Sequence, residues 1–348
     1  MRILKVFRSV GRCLAMCSAL TSIVAAAGGY HIVKRISIPG DTGWDYVTAD
    51  TEGRRLYVPH GIEVLVLDLD SGTIVGKIPD QRGLHGVAVA RQLGRGFISA
   101  TDPGSVTIFD LKTFAVIDKV RVGDDPNGII YDPKTQRVFS ADRGSKRVTA
   151  IDAKTGKIAA TTEDLGGRTE HLAGDEAGHV FLNMQDRGTL LKLDAQTLKI
   201  LETWPLAPCG QPSSMDMDRA HQRVFIGCRS GLMTVVDART GNIVATQPIG
   251  SGVDAMEFDP KKALLYVSTG GGEGTLSIFH EDSPDKYSLV ENAKTLPGAR
   301  TMALDRKTGM VYLPVADVGP APAPTPENPR GGRGRAVPGT FSVIVVGQ

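Results

Sequence analysis

The chain has 348 residues, with 41 Gly, 20 Pro, 41% hydrophobic and only 5% aromatic residues. That apolar content excludes a disordered chain, and Gly well above the usual level of about 7%, with no collagen period, favours many short strands and tight turns over a helical bundle. The formal net charge of +2 is too close to neutral for a general phosphate-backbone binder, which needs a basic patch or stripe.

Residues 1–27 read as a secretory signal peptide. Arg2, Lys5, Arg8 and Arg12 form a basic start, an apolar run follows from Cys13 to Ala27, and the run ends in Ala25-Ala26-Ala27. The run falls short of the roughly 20 residues that span a bilayer, so cleavage is expected rather than anchoring. Losing those four basic residues from the 40 leaves 36 against 38 acidic, a mature net charge of −2. No later stretch is long and apolar enough to cross a membrane. Cys13 and Cys17 leave with the leader, while Cys209 and Cys228 remain, an even number suited to an oxidising compartment. The expected location is periplasmic or extracellular.

After the leader comes an isolated strand-like run, 30–38 (YHIVKRISI), and then a repeat. An apolar strand ends in Asp before a small turn at Asp68, Asp110, Asp152, Asp194 and Asp237, with gaps of 42, 42, 42 and 43 residues. His280 takes that place after 43 more, and Val345 after 65, the excess matching a Pro/Gly-rich insertion at about 314–339. A second register agrees. Tyr57, Phe97, Phe139, Phe181, Phe225, Tyr266 and Tyr312 recur at 40 to 46 residues, each a ring expected between neighbouring sheets. Every repeat holds four strand-like runs, in the third copy 127–131, 137–141, 147–152 and 157–162. The anchor Asp is expected to accept turn N–H groups, and Gly72, Gly156 and Gly241 close the same hairpin.

Four short strands in about 42 residues make a β-propeller blade. The predicted fold is an all-β, seven-bladed β-propeller over 28–348, with four antiparallel strands per blade. The final copy stops after its third strand, so 30–38 is expected to pair with 341–347 and close the ring.

The segments "LYVPHGIEVLVLDLDSGTIVGKI" and "LLYVSTGGGEGTLSIF" resemble the YVTN-type propeller repeat, and the chain is similar over about 30–348 to the secreted bacterial YncE-like propellers. The resemblance implies the fold and an exported setting. It implies no particular chemistry, because propellers host enzymes, receptors and scaffolds alike.

In such a ring the first strand of each blade lines the central channel. Aligning the seven copies places Asp45, His85, Asn127, Glu170, Ser213, Asp254 and Arg300 at one channel mouth, with His171 beside Glu170. Every one is polar, which suits a pocket of convergent donors and acceptors for a small molecule or a protein, although a solvated mouth is polar without any ligand. His85, Glu170 and Asp254 are the candidate set for a divalent cation, since imidazole and carboxylate suit Zn, Mn or Ca. An ion held there would polarise a lactone or ester carbonyl and activate water, the alternative to binding or scaffolding. The sequence has no C-x-x-C-H, H-E-x-x-H, G-x-S-x-G or P-loop motif, so no catalytic residue is assigned. Cys209 follows a fourth strand and Cys228 ends the next second strand, which places both on one face and predicts a disulfide. "HEDSPDK" (280–286) is expected at a third-to-fourth hairpin on the opposite face, with His280 capping the turn. The insertion, with Arg330, Arg333 and Arg335, belongs to the mouth face as a lid, a docking arm or a disordered loop. A monomer without nucleic acid is expected.

Overall fold

The computed structural model describes residues 29–40, 43–320 and 336–348. Residues 1–27, expected to be a signal peptide, and Arg330, Arg333 and Arg335 of the insertion lie outside the described residues. Seven four-stranded antiparallel sheets follow one another along the chain. The third blade runs Pro126–Asp132, Arg137–Asp142, Arg147–Asp152 and Ile158–Thr161, close to the bounds read from the sequence. The innermost strands are Thr48–Asp50, Arg82–Ala90, Pro126–Asp132, Thr169–Gly174, Pro212–Asp218, Val253–Asp259 and Ala303–Asp305, and the strand of the first blade lies against that of the last.

The ring closes as expected. His31–Ser37 pairs antiparallel with Ser342–Gly347, with Arg35 opposite Ile344, and completes a sheet with Met310–Val315 and Ala303–Asp305. Among the described residues no helix is long and apolar enough to cross a membrane.

Packing lies between blades. Each apolar core cluster draws on two neighbouring sheets, such as Tyr57, Val64, Val87, Ile98 and Phe109 from blades one and two. The recurring ring is the centre of each: Tyr57, Phe97, Phe139, Phe181, Phe225 and Tyr266 are wholly buried and Tyr312 nearly so. A buried Phe at such a position holds about 3–5 kcal/mol against truncation to Ala. The anchor Asp caps its hairpin, as Ser71, Thr113, Thr155 and Thr197 each donate a backbone N–H to Asp68, Asp110, Asp152 and Asp194. Those bonds and the hydroxyls of the same four residues, the Thr197 hydroxyl foremost at Asp194, hold all four carboxyls below the usual carboxylate range.

Blade six departs from the reading. Its third and fourth strands, Thr275–Ser283 and Lys286–Lys294, run on past the expected turn. His280 therefore does not cap a turn; it is paired across the sheet with Ser288, and its Nδ1 meets Asp282 Oδ1 at 2.8 Å. The insertion begins after Val315, and a bridge between Val318 and Ala336 ties its described ends together.

Candidate functional site

The mouth residues share one local cause. In blades two to six the innermost strand slips register against its neighbour just where the mouth residue sits: between Leu84 and Val87, Pro126 and Ile129, Thr169 and Leu172, Pro212 and Ser214, and Val253 and Ala255. A bulge leaves a residue outside the ladder and re-aims its side chain. His85, Asn127, Glu170 and Asp254 are released in this way. Gly128 is required here, because a Cβ would stand 2.5 Å from Glu170 O of the next blade.

The sequence-predicted residues form two chains of charge. His85 Nδ1 lies 2.6 Å from Asp45 Oδ2, and its Nε2 lies 2.9 Å from Thr101 Oγ1 and 3.5 Å from Asp125. Asp125 in turn binds Arg143 Nε at 2.6 Å. On the other side Arg300 Nε donates to Asp254 Oδ2 at 2.7 Å and reaches Asp45 at 3.7 Å, while Arg229 approaches Asp254 Oδ1 at 3.3 Å. Ser213 is a structural member only: its hydroxyl donates to Val253 O of the adjoining blade.

Glu170 stands apart. Its side chain is 2% exposed, its nearest cation is Arg168 at 3.7 Å, and Oε2 has no hydrogen-bond partner among the described residues. Burial first, and the Asp254 charge second, push its carboxyl up to about 7, against the pull of Arg143, Arg168 and Arg229. Asn127 Oδ1, in the blade before, and His171 Nδ1 are likewise buried and unpartnered.

Tyr46 of blade one meets His171 of blade four across the axis, edge to face, with ring centroids 5.2 Å apart. Burial raises the Tyr46 hydroxyl well above its ordinary value, helped by Asp254, Asp45 and Glu170, and burial lowers His171. Both rings are therefore neutral at pH 7, and Asp254, Glu170 and Arg300 lie close enough to act on the Tyr46 hydroxyl electrostatically. A separate charged cluster sits toward the other end of the innermost strands, where Arg306 reaches Asp216 at 3.5 Å and Glu257 at 3.4 Å. Burial pushes the Glu257 carboxyl up to about 7.

The expected cation set does not assemble. His85 has both ring nitrogens engaged and Asp254 is held by two arginines, so neither presents a free ligand atom beside Glu170. Among the described residues one His/carboxylate group converges, Asp218, His221 and Glu281, on the opposite face. Cys209 and Cys228 form a disulfide, with Cα atoms 5.5 Å apart. Residues absent from the sequence reading are Tyr46, Asp125, Arg143 and Arg229. The two arginines had a signal, since each directly follows a second strand, after Asp142 and after Cys228.

These features define a seven-bladed β-propeller with a ring of polar residues at one mouth. No family model matches the chain. It is a distant homologue of the uncharacterized YncE protein of Salmonella typhimurium, 25% identical over 190 residues, covering 53% of this chain and 52% of that one. YncE of Escherichia coli K12 is 27% identical over 156 residues, 40% of this chain and 44% of that one. The matched region thus spans about half the length of the first of these relatives and less of the second. Among solved structures, a chain of Kuenenia stuttgartiensis hydrazine synthase superposes with a TM-score of 0.69 at 16% identity, over 79% of this chain and 94% of that one. A chain of the mitotic checkpoint complex gives 0.71 at 14%, over 88% and 95%. At such identities the likeness is one of fold alone.

Proposed function

We propose that this protein is an exported binding protein that takes a small polar molecule carrying N–H or O–H donors into a cup formed by the mouth residues, with Tyr46 and His171 as its floor. One observation carries the reading: Asn127 Oδ1 and Glu170 Oε2, on neighbouring blades, are buried acceptors with no donor among the described residues. Buried acceptors are ordinarily satisfied, and leaving one without a donor costs roughly 1–3 kcal/mol. A ligand amine or hydroxyl placed between them recovers that cost. The aromatic floor offers a face for the apolar part of such a ligand, and Arg300 and Arg229 offer donors to any acidic part.

The test is a thermal-shift screen of the purified chain against small amines, amino acids and sugars, followed by titration calorimetry of the hits. Glu170→Ala is expected to weaken a genuine cup ligand at least tenfold, and Asn127→Leu to act in the same direction. A screen without a hit in these classes, or hits indifferent to both substitutions, overturns the reading.

A further inference from the structure

The face opposite the cup carries a second constellation, independent of the first. Asp218 ends the innermost strand of blade five and His221 lies in the turn that follows, while Glu281 arrives from the lengthened third strand of blade six. One ligating atom from each lies within 4.8 Å of the others. The two carboxylates are nearly sealed, their side chains 2% and 5% exposed, and His221 stands at the opening, 53% exposed.

Asp218 Oδ1 accepts the Ala220 N–H at 3.0 Å and Oδ2 meets His221 Nδ1 at 2.5 Å. Glu281 Oε1 lies 3.1 Å from Tyr287 Oη, but the single hydroxyl proton of Tyr287 also faces Pro284 O at the shorter distance of 2.8 Å. Glu281 Oε2 stands 3.8 Å from His221 Nδ1 and adjoins the Asp218 carboxyl. Arg223, the nearby arginine, is committed to Asp237 and Asp285. Two buried carboxylates side by side repel each other, and a cation held between them relieves that repulsion.

We propose that Asp218, His221 and Glu281 form a binding site for a divalent transition cation, of the zinc or manganese kind, that fastens blade five to blade six. One imidazole and two carboxylates are the donor set such ions take, whereas Mg²⁺ and Ca²⁺ favour oxygen alone. Bonds of about 2.0–2.2 Å to each ligand put ligand atoms roughly 3–4 Å apart, within reach of the present spacing. The exposed side of His221 leaves the remaining positions to water. A similar pair in blade four, Asp175 with His179 Nδ1 at 2.6 Å, lacks the third ligand and forms no such group.

The experiment is calorimetric titration of the full chain, stripped with a chelator, with Zn²⁺ alone, and with Mn²⁺ in parallel. The expected result is saturable binding of one ion per chain and a rise in melting temperature. Glu281→Gln and His221→Ala are each expected to weaken the affinity at least tenfold, and His179→Ala to leave it unchanged. His221 is exposed, so its variant keeps the fold and decides the matter even if Glu281→Gln does not. No saturable binding to the wild type, or wild-type affinity in His221→Ala, overturns the proposal.

Discussion

At the scale of single residues, burial and not sequence neighbours sets the chemistry of the cup. Glu170 follows Thr169 and precedes His171 in a strand that gives no hint of an abnormal acid, yet its carboxyl is held near 7 by burial and by Asp254. Its folded value lies above the free value of 4.5, so the folded state binds the proton more tightly than the unfolded chain does. The stability this contributes is complete below about pH 4.5, declines as the pH rises toward 7, and is lost above it. Glu170→Gln removes that decline. Its stability relative to wild type is expected to grow between pH 4.5 and 7 by on the order of 3 kcal/mol, read by urea unfolding at stepped pH. A difference that stays flat across the window would show that the carboxyl ionises normally. The positions of Asp45, His85, Asn127, Glu170, Asp254 and Arg300 were legible in the sequence, because the repeat assigns each to one place in its blade. Their partners were not. Which arginine reaches Asp254, and that Tyr46 spans the axis to His171, depends on the diameter of the closed ring, a quantity no single repeat encodes.

At the scale of strands and hairpins the sequence was most readable, since each turn is written several times. The short hairpin after Asp152 has the same Asp–Thr bonding as those after Asp110 and Asp194, so a pattern seen once is confirmed by its copies. In blade six the hairpin falls within 280–286 as read, but its length and the place of His280 escaped, because Glu281 to Lys286 extend a hairpin that the other copies end sooner. The bulges of the innermost strands were equally hidden, for a bulge alters pairing and not composition. The disulfide acts at this scale too, joining the loop before blade five's first strand to the end of its second. Replacing Cys209 and Cys228 together by Ser frees a closed loop spanning a 19-residue separation. The expected cost is about 3 kcal/mol, seen as a lower denaturation midpoint in the double variant and in the wild type after reduction. Equal midpoints for reduced and oxidised wild type would count against it.

For the whole molecule, closure of the ring is the decisive contact. Removing His31–Ser37 strips blade seven of its outermost strand and bares the edge of Ser342–Gly347. The shortened chain is expected to lose its single cooperative melting transition and to self-associate through that edge, and a synthetic peptide of residues 29–40 to restore the transition when added in excess. Undisturbed melting of the shortened chain would show that six complete blades hold the ring without the seam. The seam also sets an order in time. Arg35 bonds to Ser342 across a separation of 307 residues, so a ribosome releases the outermost strand of the last blade long before the strand it must join. Throughout synthesis that segment waits with an unpaired edge and the half-exposed Val33 on its surface. Closure of the ring therefore waits until Ser342–Gly347 have been made, which ties the first strand of the ring to segments far along the chain and makes this the most non-local pairing of the fold.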